Sequence, residues 1–185
     1  MPQAAERFAS YEDLLHVPDH LIAQIIHGQL ITHPRPAPKH AWTSSSIGGE
    51  LFNPFHKGNG GPGGWIILDE PELHLGNHVL VPDLAGWRRE RMPELPETAW
   101  FEIVPDWICE ILSPSTSRLD RAQKMPIYAS QGVSHLWIID PEVQLLEVYI
   151  LQDGHWLLLE TLKDDDEVRQ PPFDAIAFSL AGLWP

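Results

Sequence analysis

The feature that most constrains this chain is a pair of carboxylates set inside apolar runs. One closes Val79-Leu80-Val81-Pro82-Asp83; the other interrupts Trp107-Ile108-Cys109-Glu110-Ile111-Leu112. The second run leads through Ser113-Pro114-Ser115-Thr116 into the polar segment Arg118–Lys124. Tyr128, Gly132 and another apolar run, Leu136-Trp137-Ile138-Ile139-Asp140, follow. The pattern predicts strand, turn, helix, strand, with an acid inside the first strand and Lys124 on the helix. An ionised group in a buried strand is costly unless a cation, a metal or hydrogen bonds compensate it. Glu110 therefore requires a partner, and Asp83 and Lys124 are the candidates to share its surroundings.

At 185 residues the chain is expected to form one domain, 1–185, with a core that needs no disulfide. The lone Cys109 excludes an intramolecular bridge and fits a reducing compartment. No apolar run approaches the roughly 18 residues that span a bilayer, so no membrane role is expected. Met1–Arg7 lacks the basic-then-apolar pattern of a signal peptide, and the reading is a cytoplasmic protein. The formal charge of −14 opposes nonspecific attraction to phosphates. Six of the twelve basic residues, however, fall between Arg88 and Lys124, which leaves room for a local basic surface.

Along the chain, Ser10 followed three residues later by Asp13 signals a capped short helix. Leu21–Ile26 and Gln29–His33 read as a hairpin about His27-Gly28. Lys39–Phe52 is expected to be helical and to end before Pro54. Glu50 sits beside Ile47 and Leu51 on that helix, at the border of its buried face. His56–Gly64 is glycine-rich but lacks the lysine and helix of a phosphate-cradling loop, so it reads as a surface loop. Trp65–Leu68 and Val79–Trp87 read as strands, Leu75–His78 as a turn, and Gln144–Leu151 with His155–Leu162 as a hairpin about Asp153-Gly154. Asp164–Glu167 is expected to be solvated, and the aromatics of Phe173–Trp184 to pack back on the body. The order predicts an α/β (α+β) domain: a central mixed β-sheet flanked by helices, with extra N-terminal and C-terminal hairpins.

If the two acid-bearing strands are neighbours, Asp83 and Glu110 meet. Like charges at close range raise a pKa or recruit a divalent cation. Oxygen ligands with room for water suit Mg²⁺ or Mn²⁺ better than zinc. Such an ion activates water and stabilises charge on a phosphate oxygen, while a nearby lysine orients water or steadies the phosphorus. Glu50 is a candidate fourth member. Taken singly, each residue has a plainer reading: Asp83 pairing with Arg88, Glu110 facing water from an edge strand, Lys124 and Glu50 solvated on helices. The conjunction is the restrictive signal. His74 with His78, and His16 with His20, are interrupted by Gly76-Asn77 and Pro18, so zinc is not expected. No Gly-x-Ser-x-Gly elbow occurs, and Cys109 reads as a packing residue.

Val81-Pro82-Asp83-Leu84-Ala85, Cys109–Thr116, Asp120 with Lys124, Tyr128, Gly132-Val133 and Trp137–Pro141 together resemble the Uma-type restriction endonucleases. These are bacterial proteins of the PD-(D/E)XK nuclease superfamily. The likeness runs from about Tyr11 to Trp184. It implies a restriction-endonuclease-like core, Asp83 and Glu110 as metal ligands, and Lys124 in place of the lysine that many members carry two residues after the second acid, where this chain has Leu112. Glu50 corresponds loosely to a helical glutamate of some members. Pro126, two residues after Lys124, departs from a regular helix and bears on the reach of the lysine. The expectation is a Mg²⁺- or Mn²⁺-dependent endodeoxyribonuclease acting on DNA, with a homodimer suited to cutting two strands. The alternatives are a catalytically inactive relative serving as a nucleic-acid-binding or protein-interaction module, and a small-molecule phosphodiesterase.

Overall fold

The computed structural model describes residues 7–185; most of the Met1–Arg7 stretch read above for a leader lies outside the described residues. Helix α1 (Tyr11–Leu15) opens with the expected capping box between Ser10 and Asp13. Strands β1 (Leu21–Ile26) and β2 (Gln29–Pro34) form a hairpin. Its turn places His27 at φ 51 and Gly28 at φ 75, the left-handed pair that matches strand twist in a two-residue connection. Helix α2 (Pro38–Leu51) follows, with His40, Thr43, Ile47 and Leu51 buried along one stripe. It passes into a π-helical turn, Phe52–Lys57, that contains Pro54. Pro54 thus does not end the helical path. Winding there is i→i+5, so the backbone has already left the register that the missing proline N–H would have completed.

Strands β3 (Trp65–Asp69), β4 (Leu73–Leu75), β5 (His78–Leu80), β6 (Leu84–Arg88) and β7 (Trp107–Ile111) come next. The single strand expected over Val79–Trp87 is two strands, separated by Val81-Pro82-Asp83. Proline cannot donate to a ladder, and the chain uses that break to change sheets: β5 belongs to a four-stranded sheet ordered β2-β1-β5-β4, β6 to a six-stranded one. After β7 come helix α3 (Ser117–Leu119), a π-helical segment Asp120–Lys124, and helix α4 (Met125–Gln131). Strands β8 (His135–Asp140), β9 (Leu145–Gln152) and β10 (His155–Lys163) complete the large sheet, ordered β10-β9-β8-β7-β6-β3. The β7–β8 pair is parallel and the others antiparallel, so the sheet is mixed, as expected. A short ribbon of β11 (Glu167–Val168) and β12 (Phe178–Ser179) and a 3₁₀ turn, Leu180–Leu183, close the chain.

All five residues of β7 are buried, so both faces of the sheet are covered at this strand. Trp107, Cys109 and Ile111 pack with Ile47 and Leu51 of α2 and with the C-terminal segment. Ile108 faces the other way, with Ile127 and Tyr128 of α4 and with Leu73, Leu75 and Leu80 of the smaller sheet. The period-two alternation of a strand therefore sends Glu110 to the α4 side. Phe173 is the hub of the first face: its ring lies 4.7–5.7 Å from those of Phe55, Trp65, Trp107 and Trp137. This is the packing expected of the C-terminal aromatics. Phe173→Ala is expected to lower the unfolding free energy by about 3–5 kcal/mol, measured by urea denaturation.

Candidate active site

Antiparallel pairing places Leu84 opposite Cys109, so one step further along the same register Asp83 stands opposite Glu110. The side chain of Asp83 closes this step itself, its Oδ2 accepting from the Ile111 N–H at 2.6 Å. Its Oδ1 lies 3.1 Å from Nε2 of His40, which the buried stripe of α2 brings to the sheet end. Buried Gln24 of β1 accepts from the Val81 N–H at 2.9 Å, which pins the Val81-Pro82-Asp83 link between the two sheets.

Across from Asp83, Glu110 Oε1 accepts from Tyr128 Oη at 2.6 Å and lies 2.7 Å from Lys124 Nζ. The ammonium also meets Asp120 Oδ1 at 3.3 Å and donates to the Val81 carbonyl at 3.2 Å. Its three N–H donors thus have three acceptors. The π-helical winding over Asp120–Lys124 widens the turn just before Pro126, whose place is the first turn of α4, where a missing N–H costs little. Pro126 therefore does not prevent Lys124 from reaching the site. The π segment brings Asp120, Lys124 and Tyr128 to one face, toward Glu110.

Burial pushes the Glu110 carboxyl up; the Lys124 ammonium pulls it back, and the charges of Asp120 and Asp83 add to the rise, leaving it at about 8. Burial opposes the Lys124 charge, but Glu110, Asp120 and Asp83 outweigh it and hold the ammonium above its ordinary value. Burial and the negative charge of Glu110 push the Tyr128 phenol far up, so it remains a donor. Burial lowers the proton affinity of His40, and the hydrogen bond and charge of Asp83, the Ile111 carbonyl and Asp120 more than reverse it. Three carboxylates surround one lysine here, an excess of negative charge before His40 is counted. Asp83, Glu110, Asp120, His40 and Lys124 line one cavity of about 290 Å³.

The structure thus gathers three of the four residues singled out in the sequence. Glu50 is not among them: it is exposed near the end of α2, with Oε1 beside Gly182 of the C-terminal turn. It follows His40 by ten residues, about 15 Å along a helix axis, and so cannot share that residue's site. His40, Asp120 and Tyr128 complete the cluster without having been assigned a part in it. The i,i+4 spacing of Asp120, Lys124 and Tyr128 was a signal for two of them; for His40 nothing marked which face of α2 would meet Asp83. His74 binds Glu72 at 2.7 Å and His78 accepts from the His27 N–H, so the two do not converge. Cys109 is buried, and burial raises its thiol pKa. The basic residues between Arg88 and Lys124 form no single patch. Arg88 and Arg89 lie at the opposite end of β6 from Asp83, Arg91 binds Asp106, Arg121 binds Glu147, and Lys124 is buried.

Among the described residues no group of three or more His, Cys, Asp or Glu side chains is arranged as a metal cage. Two carboxylates with space for water, however, fit the habit of Mg²⁺, which keeps several of its waters. No hydrogen bond among the described residues engages Glu110 Oε2, and each oxygen of Asp83 retains a lone pair. The donor set of Asp83 and Glu110 therefore fits a hard divalent ion held by two residues.

The family model described as "Uma2: Putative restriction endonuclease" matches residues 8–181. Among solved structures, a putative nuclease belonging to DUF820 from Anabaena variabilis is similar to this chain. The TM-score is 0.75 at 26% identity, with 95% of this chain and 97% of that chain covered. No curated protein matches. The mixed sheet and its flanking helices are a restriction-endonuclease-like fold. No helix is long and apolar enough to cross a membrane among the described residues.

Lys124→Met leaves buried Asp120 without its cation and is expected to lower stability by about 3–5 kcal/mol at neutral pH, read by chemical denaturation. Glu110 has a folded pKa of about 8 against an ordinary value of 4.5. The folded state therefore keeps a proton that the unfolded state releases. The contribution of Glu110 to stability is full below about pH 4.5 and is lost as the pH rises through about 8. Glu110→Gln is expected to flatten the decline in unfolding free energy across that window.

Proposed function

The chain belongs to the Uma2 family of putative restriction endonucleases, and from that membership and the site we propose a metal-dependent endodeoxyribonuclease of the PD-(D/E)XK type. The observation that carries this reading is the meeting of Asp83 and Glu110, 27 residues apart in sequence, at one cavity with Lys124 bound to Glu110. Asp83 and Glu110 would hold Mg²⁺ or Mn²⁺. Such an ion lowers the pKa of water and draws charge from a phosphate oxygen. Asp83 is oriented for this from both sides, by the Ile111 N–H and by His40. Tyr128 and Lys124 both hold Oε1 of Glu110, which directs Oε2 to the cavity. Lys124, bound to Glu110 Oε1, would supply a fixed positive charge beside the place where a phosphodiester gathers negative charge. Glu50 has no part in this scheme.

A second reading rests on one observation: all three donors of Lys124 are already satisfied within the protein. A site that keeps this arrangement permanently is a structural ion-pair triad, and the protein is then a binding module. Metal titration separates the two. Ion binding at pH 7 is expected to release up to about one proton, taken from Glu110, with the release vanishing above about pH 9. Calorimetry in buffers of different ionisation enthalpy measures it. Mg²⁺ at about ten times its dissociation constant should raise the melting temperature by about 3–5 °C. Absence of both effects at millimolar Mg²⁺ and Mn²⁺ favours the module.

Supercoiled plasmid with Mg²⁺ or Mn²⁺ tests hydrolysis directly. Asp83→Asn and Glu110→Gln are each expected to reduce nicking by more than the about 10–100-fold that follows loss of a supporting group. His40→Ala, which removes such a support, is expected to fall within that range through weaker metal affinity. Equal nicking by wild type and the Asp83→Ala, Glu110→Ala double variant would overturn the assignment.

A further inference from the structure

Resting on the nuclease reading, we infer that the strand this site accepts is unpaired: single-stranded DNA, or a frayed end, rather than intact duplex. The first ground is depth. The side chains of Glu110, Lys124 and Asp120 are at most 4% exposed, and those of His40 and Asp83 are 10% and 16% exposed. The phosphate must therefore enter the cavity, since the acids do not come out to meet it.

The second ground is the walls. The Pro34-Arg35-Pro36-Ala37 bridge between β2 and α2 and the Ser113–Thr116 turn after β7 both line the cavity. Both are tied down. Arg35 donates to the Asp19 carbonyl at 3.1 Å and lies 3.6 Å from Glu70. The Ser113 hydroxyl is bonded to those of Ser115 and Thr116 and accepts from the Thr116 N–H. A duplex has a persistence length of about 50 nm and pays up to several kcal/mol to bend sharply over a short site. Bringing one of its phosphates down to acids recessed behind these segments costs a duplex such bending, whereas a lone strand turns freely at each nucleotide.

The third ground is charge. Arg35 and Lys39 beside the mouth face Glu70 and Glu142, and Lys124 is spent on Glu110 and Asp120. Among the described residues, exposed Arg118 is the cation near the Ser113–Thr116 wall that has no carboxylate partner. Duplex binding draws its affinity from many phosphate contacts, and this mouth offers few.

The test uses one labelled oligonucleotide as a single strand, as a blunt duplex, and as a duplex with an unpaired tail. The full chain is assayed with Mn²⁺ for cleavage and with Ca²⁺ for binding without hydrolysis. Single strand and tail are expected to be cut at least about tenfold faster than blunt duplex, with cuts confined to the unpaired part. The dependence of log affinity on log salt for the single strand should be shallow, with a slope of about −2 or less in magnitude. Glu70→Gln, which frees Arg35 outside the catalytic cluster, is expected to tighten binding and steepen that slope by about one phosphate's worth, roughly 0.7. Duplex cut or bound as well as single strand overturns the inference. Preferential binding of the single strand without cleavage of any substrate sustains it and removes the hydrolase reading instead.

Discussion

A single ammonium group governs the arrangement of the site. Lys124 lies buried among Glu110, Asp120 and the Val81 carbonyl, groups supplied by the central strand β7, the π-helical segment and the link between the two sheets. Burying a charge costs several kcal/mol unless its partners are well placed, so all three segments must hold their positions for the fold to tolerate it. The same requirement explains the π winding. A regular α-helix would carry the register straight into Pro126; the wider turn ends before it, with the lysine aimed inward.

The acids are unevenly compensated. Lys124 faces three carboxylates, and the shortfall appears as the raised pKa of Glu110. In a well-sealed core such a deficit would be relieved by a second cation or by an apolar replacement. Here it borders a cavity, where, on the function proposed above, a divalent ion and a phosphate would balance each other's charge. Depth works in the same direction: electrostatic interactions strengthen as water is excluded. A recess that makes the charges effective also restricts what can enter.

The junction between the sheets gives the recess its walls. Val81-Pro82-Asp83 leaves the small sheet and enters the large one, anchored by Gln24 on one side and by the Ile111 N–H on the other. The β1–β2 hairpin, carried by the small sheet, then leads into the bridge that lines the cavity and into α2, which delivers His40. Of the cations beside the cavity, Arg35 and Lys39 are held by Glu70 and Glu142. Affinity for a polyanion therefore cannot come from a broad basic face.

The local elements were largely legible in the sequence because they depend on neighbours along the chain. The His27-Gly28 and Asp153-Gly154 turns, the Ser10 cap and the acid embedded in the Trp107–Ile111 strand each carry their physical cause within a few residues. Asp83, Glu110 and Lys124 stood out for the same reason: proline before an acid, a charge among apolar residues, and a lysine on the helix that follows the acid-bearing strand. Other features depended on the tertiary structure. Val79–Trp87 looked continuous until two different sheets claimed its halves, and Pro54 looked terminal until a π turn absorbed it. Glu50 bordered the apolar stripe of α2, yet the position of the helix gave the site His40 and left Glu50 in solvent. Which face of a helix meets which end of a strand is decided by packing across long sequence separations, and no short-range pattern encodes it.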